Sequence, residues 1–181
     1  MKTYIGFLRG INVGGHRPVQ MARLREVLAE AGVHAVRTYV QSGNLGFKTP
    51  QQDQKRLEQT LEVHLEAAFG FDIPLILRTP EAIGAFLEEN PFKEKVVSHP
   101  GGMYYTLWKD APAQDLEGKL RQRTYPGQQW HLGNTGVYLW CETGYGNARL
   151  NNNELERLSA MQATTRNHNT LTKLLAMAKE G

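Results

Sequence analysis

The sequence predicts an α+β protein that is built from two coupled halves. Short apolar strand patterns alternate with helical patterns along the whole chain, and the order of these patterns in the first half restarts in the second. A length of 181 residues is sufficient for two small cores without a metal or a disulfide. We therefore predict an N-terminal half at 1–92, a link at 93–102 and a C-terminal half at 103–181, related as a duplicated α+β unit.

The first half has the predicted element order βαβ(β)αβα. Its helices are inferred from apolar residues at helical spacing, and its strands from short apolar or alternating runs. Gly32 and Gly70 follow the first two helical patterns, where a left-handed residue commonly ends a helix. Thr49 and Thr79 each precede a proline, a combination typical of a helix N-cap and first turn. The predicted strands are 3–8, 36–41, 45–47 and 73–78.

The second half repeats a similar order of elements. Residues 133–136, Gly-Asn-Thr-Gly, predict a hairpin turn between two strands. Two C-terminal helices are predicted from apolar residues at helical spacing, and the second begins at His168. Residues 164–167 between these helices are expected to form a loop. The remaining predicted elements are strands at 103–108, 128–132 and 137–141 and helices at 112–121 and 153–161.

The overall composition indicates a soluble, cytoplasmic protein without a membrane partner. Cys141 is the single cysteine, which excludes an intrachain disulfide and favours a reducing compartment. The N-terminus does not resemble a signal peptide, and no apolar run approaches the roughly 18 residues that a membrane span requires. The net charge is +3 without a block of Lys and Arg residues, which favours a local anion site over an extended nucleic-acid surface.

A loop of glycines, amides and cations follows the first predicted strand. Gly14 and Gly15 allow left-handed backbone conformations and leave their N–H groups uncovered. Arg9, His16 and Arg17 supply positive or titratable donors, and the combination favours a bound anion. The loop matches neither the G-x-G-x-x-G nor the Walker A fingerprint. The alternative interpretation is a glycine-rich turn whose cations are solvated.

A second polar segment precedes the last predicted helix. Asn167 is suited to cap that helix, which would leave Thr164, Thr165 and Arg166 beside the positive end of its dipole. Hydroxyl groups, a guanidinium and backbone N–H groups would then converge on one point. The alternative interpretation is that Thr165 or Asn167 only caps the helix and that Arg166 faces water.

The leading hypothesis is that the loops at 9–17, 42–44 and 164–167 meet in one cationic cleft between the halves. This cleft would bind a phosphorylated or carboxylated small molecule, a class that includes nucleotides. His16 is the acid–base candidate, and the sequence assigns no nucleophile, reaction, cofactor or oligomeric state. The six histidines lack metal-ligand spacing, so no metal site is predicted. The predicted ligand-binding residues are Arg9, Asn12, Gly14, Gly15, Arg17, Ser42, Asn44, Arg149, Thr164, Thr165, Arg166 and Asn167.

Four stretches that are spread over nearly the whole chain carry distinctive combinations of glycine, asparagine, threonine and arginine. They are Leu-Arg-Gly-Ile-Asn-Val-Gly-Gly at 8–15, Met-Ala-x-Leu at 21–24, Arg-Thr-Tyr-Val-Gln-Ser-Gly-Asn at 37–44 and Ala-Thr-Thr-Arg-Asn-x-Asn-Thr at 163–170. In these motifs the chain resembles the bacterial family called domain of unknown function 1697. Members of that family often carry tryptophan where this chain has His168, and lysine where it has Arg149.

The resemblance implies a fold and a compartment but no activity. It implies a cytoplasmic bacterial protein with a two-part α+β fold and a ferredoxin-like element order. The predicted fold is therefore α+β, with two coupled α/β-plait halves, the first of them ferredoxin-like, and two C-terminal helices. Two further functions stay open. One is a nucleic-acid-binding module, because ferredoxin-like sheets can stack bases on aromatic residues. The other is a protein-interaction domain with an exposed apolar patch.

Overall fold

The computed structural model describes residues 1–180 and has a mixed α+β fold, as predicted. These residues form two four-stranded antiparallel sheets, seven α-helices and one short 3-10 turn. Two compact units contain them: Met1–Gly84 together with the chain from Lys173 onward, and Ala85–Thr172. Each unit carries one complete sheet.

Seven elements begin in the first unit. They are β1 (Lys2–Leu8), α1 (Met21–Glu30), β2 (His34–Tyr39), β3 (Asn44–Thr49), α2 (Gln54–Phe69), β4 (Leu75–Arg78) and α3 (Pro80–Glu88). The strand order is β2-β3-β1-β4, and every neighbouring pair is antiparallel. With the chain order βαββαβ, this is the ferredoxin-like arrangement that was expected for the first half.

Apolar side chains on both faces of β1 hold the first sheet in place. Tyr4 lies on the face that packs against α1 and α2, where Leu24 and Leu61 are completely buried. Ile5 and Phe7 alternate with it along the strand, point to the other face and are also completely buried. Since burial of one large apolar side chain contributes roughly 1.5–3 kcal/mol, this central strand anchors the unit.

The same order of elements recurs in the second unit. The elements that begin in it are α4 (Lys93–Ser98), the 3-10 turn (Pro100–Gly102), β5 (Met103–Trp108), α5 (Leu116–Arg121), β6 (Gln128–Leu132), β7 (Gly136–Cys141), α6 (Asn152–Ser159), β8 (Ala163–Asn167) and α7 (His168–Lys179). The strand order β6-β7-β5-β8 corresponds to β2-β3-β1-β4 and is again antiparallel throughout. The second half is therefore ferredoxin-like as well. Helix α4 and the 3-10 turn occupy the predicted link.

Several predicted helix ends are confirmed by the backbone. Gly32 has a φ of +83° just after α1, and Gly70 ends α2 with a φ of +80°. Both are left-handed conformations that glycine adopts without strain. At the start of α3, the backbone N–H of Ala82 donates to the hydroxyl of Thr79 at 3.3 Å. The glycine and threonine signals therefore identify these ends correctly.

The start of α2 differs from the sequence prediction. Thr49 is not the N-cap, because it is the last residue of β3 and pairs with Lys2 of β1. The helix begins five residues later, and the side chain of Asp53 accepts the backbone N–H of Arg56 at 3.0 Å. Threonine and aspartate are both good N-caps, so the local pattern does not decide between them. Pairing within the sheet extends β3 as far as Thr49 and delays the helix.

The predicted loop at 164–167 is wrong, because these residues belong to β8. This strand pairs with β5 over its whole length, from Asn167 opposite Tyr104 to Ala163 opposite Trp108. The segment lacks the alternation of apolar and polar residues that predicts a strand. Its strand conformation comes from pairing with a buried neighbour, which overrides the weak local preference.

Candidate functional site

The loop that follows β1 folds into a small β-hairpin. The backbone N–H of His16 donates to the carbonyl oxygen of Val13 at 2.9 Å, and the two residues form a β-bridge. Gly14 and Gly15 form the turn between them, with φ values of +57° and +78°. A pair of left-handed residues is what a type I′ turn requires. The two glycines that were predicted to bind an anion are therefore also needed by the turn itself.

Asn12 fixes the base of this hairpin. Its backbone N–H donates to the carbonyl oxygen of Arg17 at 3.1 Å. Its Nδ2 donates to the carbonyl oxygens of Val19 and Gln41 at 2.9 and 2.8 Å, and its Oδ1 accepts the backbone N–H of Val19 at 2.8 Å. Asparagine is also one of the few residues that tolerate the observed φ of +54°. Asn12 thus ties the loop to the turn between β2 and β3.

Gly43 supports the loop from the other side. Its carbonyl oxygen accepts the backbone N–H of Leu8 at 2.8 Å, and its φ is +77°. A Cβ atom at this position would lie 2.6 Å from Cβ of Leu8 and 2.9 Å from Cδ1 of Ile11. Only glycine meets both the backbone and the packing requirement here. The turn is therefore seated directly against the start of the loop.

The predicted site residues Ser42 and Asn44 shape the same turn. Asn44 is completely buried, and its Nδ2 donates to Oγ of Ser42 at 2.9 Å and to the carbonyl oxygen of Tyr39 at 3.2 Å. Ser42 is exposed. The motifs at 8–15 and 37–44 consequently form one hydrogen-bonded assembly.

The cations of the loop have different surroundings. The Arg17 guanidinium lies over the Phe71 ring, 5.0 Å from its centroid, and a Cβ atom at Gly10 would lie 3.4 Å from its Nη1. Arg9 is half-buried, whereas His16 is exposed at the tip of the hairpin. The guanidinium of Arg17 thus lies next to the backbone of Gly10.

Left-handed residues other than glycine are concentrated in this region. Arg17 and Val40 both have a φ of +52°. For a β-branched residue such a conformation is a genuine outlier, and strained backbone is common at functional sites. Val40 is 53% exposed and Val13 is 66% exposed. The assembly therefore combines strained backbone with two exposed apolar side chains.

The polar groups of β8 bond to one another and to neighbouring elements of the second unit. Oγ1 of Thr165 lies 2.7 Å from Oγ1 of Thr106 and donates to Oδ1 of Asn152 at 2.9 Å. Nη1 of Arg166 donates to the hydroxyl of Thr164 at 2.6 Å. The hydroxyls and the guanidinium that were expected to face a ligand thus also have partners within the unit.

Two further predicted residues lie close to helix ends. The side chain of Asn167 accepts the backbone N–H of Thr170 at 2.8 Å and caps α7, as the sequence predicts. Arg149 is exposed in the bend before α6. By position, seven predicted ligand-binding residues lie in the first unit and five in the second. Their contacts with a ligand stay predictions.

A buried polar cluster in the second unit is not among the predicted site residues. The hydroxyl of Tyr105 accepts a hydrogen bond from Nδ2 of the buried Asn90 at 3.0 Å, and Nδ1 of His168 lies 3.0 Å from the same hydroxyl. Burial raises the pKa of Tyr105 and lowers the pKa of His168. The signal in the sequence was weak, since a tyrosine in an apolar strand does not reveal its partners.

Tyr138 lies opposite Tyr105 on the neighbouring strand. It is buried, and its hydroxyl has no hydrogen-bond partner among the atoms of residues 1–180. Burial raises the pKa of Tyr138 to about 12. Both tyrosines therefore stay neutral at physiological pH, and they differ in whether their hydroxyls are satisfied.

Metal and thiol chemistry have no obvious centre in the part of the chain that the structure describes. Residues 1–180 contain no group of three or more His, Cys, Asp or Glu side chains placed to hold a metal ion. Cys141 is buried, and burial raises the pKa of its thiol, which disfavours the reactive thiolate. None of the described helices combines the length and the apolar character that crossing a membrane requires.

Comparison with known proteins identifies the family and the fold. The conserved bacterial protein SP0830 from Streptococcus pneumoniae is similar over 99% of this chain and 99% of its own, with a TM-score of 0.74 and 22% sequence identity. This similarity shows a shared fold. No curated protein matches the chain. The family described as "Protein of unknown function (DUF1697)" matches residues 1–138, which is more than half of the sequence, and the chain therefore belongs to the DUF1697 family.

Proposed function

We propose that the hairpin loop after β1 binds a phosphorylated or carboxylated small molecule, a class that includes nucleotides. The position of Arg17 is the observation that carries the proposal. Its guanidinium is held over Phe71 and lies next to the backbone of Gly10. Charge-assisted hydrogen bonds from a guanidinium are among the strongest that proteins offer to phosphate and carboxylate oxygens.

The rigidity of the loop supports this proposal. Asn12 bonds to three backbone groups in two other segments, and Gly43 packs against the start of the loop. A site that is held in one conformation before binding loses less entropy when the ligand arrives. The loop therefore has the preorganisation that recognition of a small anion requires.

Each predicted residue of the loop has a role in the proposal. Arg9 and Arg17 hold the anion, and Gly14 and Gly15 offer backbone N–H groups. His16 is the acid–base candidate of the loop, because histidine is the side chain that most often transfers protons in general acid–base catalysis. We extend the proposal to Arg149 and Arg166, because their positive charges would attract the same anion. Their predicted neighbours in β8, namely Thr164, Thr165 and Asn167, would add hydrogen bonds.

A thermal-shift screen tests the proposal. Inorganic phosphate, nucleotides and sugar phosphates are compared at constant ionic strength. We expect at least one anion to raise the melting temperature, and we expect Arg17→Ala to abolish the shift. Arg56→Ala is the matched control, because Arg56 is an exposed arginine on α2 of the same unit and its loss removes the same charge. Arg56→Ala should respond like the unaltered protein.

Two results would contradict the proposal. One is no stabilisation by any anion, and the other is equal stabilisation of Arg17→Ala and the unaltered protein. Arg166→Ala in the same assay tests the extension to β8, which an unchanged shift would remove. Single-stranded RNA in the screen tests the nucleic-acid alternative, for which binding should weaken steeply as salt is added.

A second candidate function, protein interaction, is favoured by the two exposed valines. Val13 and Val40 flank the hydrogen bond from Asn12 to Gln41. Exposed apolar side chains that lie together in one patch mark contacts between proteins. Photo-crosslinking from position 13 tests this candidate, with Val63 on α2 as the control because it is also 66% exposed. A defined partner should be captured from position 13 and not from position 63.

A further inference from the structure

The edge strands of the two sheets differ in whether their outward N–H and C=O groups are bonded by side chains, interrupted by a bulge or left open. The edges are β2 and β4 in the first unit and β6 and β8 in the second. An open edge presents a row of N–H and C=O groups that pair readily with another strand, so proteins usually cover or distort it. Three of the four edges, those of β4, β8 and β2, carry such protection.

Side chains of α2 cover the outer edge of β4. The backbone N–H of Leu75 donates to Glu62 at 2.7 Å, and that of Leu77 donates to Glu58 at 2.8 Å. Nε2 of Gln54 donates to the carbonyl oxygen of Leu77 at 3.0 Å. The helix thus satisfies the outward groups of this strand.

Side chains of α6 cover β8 in the same way. The backbone N–H of Ala163 donates to Glu156 at 2.8 Å, and Nδ2 of Asn152 donates to the carbonyl oxygen of Ala163 at 3.0 Å. Nη1 of Arg166 donates to the carbonyl oxygen of Thr165 at 2.9 Å. The two units therefore protect corresponding edges with corresponding helices.

The edge of β2 is distorted instead. Its register with β3 shifts between His34 and Arg37, and Ala35 has a left-handed φ of +52°. Such a bulge interrupts the regular spacing of the outward groups and makes pairing with another strand less favourable.

The edge of β6 carries none of these features within residues 1–180. Its register with β7 is regular over all five residues. Its sequence, Gln-Gln-Trp-His-Leu, contains no proline, lysine or arginine. A regular and uncharged edge strand is the kind that pairs with another chain.

Hydrogen bonds at both ends of β6 show which of its residues face β7. The backbone N–H of Gly133 donates to Gly136 at 2.9 Å, and that of Glu142 donates to Gly127 at 2.9 Å. Since bonded residues recur at every second position of an antiparallel pair, the odd-numbered residues from 127 to 133 face β7. The backbone N–H and C=O groups of the even-numbered residues point to the open edge.

Trp130 and Leu132 therefore direct their backbone N–H and C=O groups outward. Gln128 also faces outward, but its N–H donates to the carbonyl oxygen of Tyr125 at 3.0 Å. Its outward C=O group faces the open edge like those of the other two. The edge thus offers two N–H donors, on Trp130 and Leu132, and three C=O acceptors, on Gln128, Trp130 and Leu132.

An open groove runs along this edge. It is lined by all five residues of β6 and by Glu117 and Arg121 of α5, and its volume is about 410 Å³. The guanidinium of Arg121 lies 5.8 Å from the centroid of the half-buried Trp130 ring. The groove has space for a further extended strand beside β6.

The charges around the edge favour a partner with the same charge pattern. Glu117 and Arg121 line the groove beside α5, and Nη2 of Arg121 donates to Oε1 of Glu117 at 2.6 Å. A second hollow, also lined by β6, is bordered by Lys95 and Glu142 and has a volume of about 240 Å³. Each hollow thus contains one acidic and one basic side chain, so two copies of this edge can meet across a two-fold axis without net charge repulsion. A strongly acidic or basic peptide would gain no net attraction.

We propose that β6 pairs in antiparallel orientation with β6 of a second copy of this chain. With the two-fold axis at Trp130, the Trp130 residues of the two copies exchange N–H···O=C bonds. Leu132 of each copy donates to the carbonyl oxygen of Gln128 in the other. The two tryptophan side chains form a cross-strand aromatic pair. The two sheets that carry β6 would then join into one continuous sheet.

Sedimentation velocity of the full chain tests the proposal. The protein concentration is varied from about 10 μM to about 1 mM, which covers the dissociation constants expected of a moderately stable dimer. The mass of the monomer is 20.4 kDa, and we expect the average mass to rise toward twice this value. Leu132→Pro removes an outward N–H without removing a bond to β7, and should stay monomeric. Leu132→Val keeps the N–H and should associate like the unaltered protein.

A second variant keeps the proposal testable if the proline variant does not fold. Trp130→Lys places like charges opposite each other across the axis and should weaken association by about tenfold or more. A protein that stays monomeric at all concentrations overturns the proposal. Association that neither variant weakens overturns it too, because another surface must then be responsible. No residue of the proposed anion site belongs to β6, so the two proposals can fail separately.

Discussion

The side-chain amide of Asn12 donates to the carbonyl oxygen of Gln41 at 2.8 Å and so joins the loop after β1 to the turn after β2. The same side chain makes two bonds to the backbone of Val19, where the chain approaches α1. One residue therefore fixes three backbone segments. The motifs that surround Asn12 and Gln41 are distant in sequence, but each depends on the other for its conformation.

Replacement of Asn12 with alanine should destabilise the first unit markedly. The substitution removes three side-chain bonds and leaves polar groups of the buried Val19 without a partner. Since each such group costs about 1–3 kcal/mol, we expect the free energy of unfolding to fall by about 2–4 kcal/mol. Urea unfolding followed by circular dichroism measures the change.

Asn12→Gly separates the lost bonds from backbone strain. Glycine adopts the observed φ of +54° freely, whereas alanine there adds about 1 kcal/mol of strain. The glycine variant should therefore be destabilised less than the alanine variant. If both variants unfold at the same urea concentration as the unaltered protein, Asn12 does not hold the loop.

The same substitution at two left-handed glycines should have different consequences. Gly43 and Gly32 have φ values of +77° and +83°, so alanine at either position meets backbone strain of about 1 kcal/mol. A Cβ atom at Gly43 would also overlap Leu8, whereas nothing lies within 4 Å of one at Gly32. We expect Gly43→Ala to cost about 1–3 kcal/mol more than Gly32→Ala in urea unfolding, because crowding adds to the strain. Equal losses would show that the turn moves away from Leu8 freely.

The sequence predicts the elements whose local pattern and tertiary environment agree. The strand around Ile5 is apolar on both faces and is buried on both faces. The glycine at position 70 marks the end of α2 correctly because its left-handed conformation is a local property. The hairpin between β6 and β7 is predicted correctly for the same reason, since its turn residues act through the backbone.

The remaining features depend on partners that no local pattern reveals. Arg78 and Arg166 occupy corresponding positions in β4 and β8, and each donates to the carbonyl oxygen of the preceding residue, at 2.6 and 2.9 Å. The segments around them read Leu-Ile-Leu-Arg and Ala-Thr-Thr-Arg, so the arginine is their single common residue. The repeat is therefore visible in the topology and in these bonds but not in the sequence. The contact between Arg17 and Phe71 is likewise absent from any local pattern, because the two residues are distant in sequence.

Removal of a tyrosine hydroxyl should have opposite effects at two neighbouring positions. The hydroxyl of Tyr138 is buried without a partner among the described atoms, so Tyr138→Phe should raise the free energy of unfolding by about 0.5–1.5 kcal/mol. The hydroxyl of Tyr105 bonds to Asn90 and His168, so Tyr105→Phe should lower it by about 1–3 kcal/mol. Thermal and urea unfolding of both variants measure the difference. A loss of stability in Tyr138→Phe would show that this hydroxyl is satisfied in solution.

His168 should make the stability of the second unit depend on pH. Burial lowers the pKa of His168 below its ordinary value of 6.5, so the unfolded chain takes up a proton at a higher pH than the folded protein does. As the pH falls below about 6.5, the unfolded state binds more protons, and the free energy of unfolding therefore decreases. The decrease should end once the pH is below the pKa of the folded state. Above neutral pH this contribution is fully present.

His168→Asn removes this pH dependence while keeping a polar side chain near the hydroxyl of Tyr105. We expect the variant to lose less stability than the unaltered protein between about pH 7.5 and pH 5, as measured by urea unfolding at each pH. His34→Asn is the matched control, because His34 is exposed on β2, and this variant should follow the unaltered protein. Protonation of His168 in the folded state would also change its contact with Tyr105, which is 3.0 Å from Nδ1. Identical pH profiles for His168→Asn and the unaltered protein would mean that the buried imidazole does not couple protonation to folding.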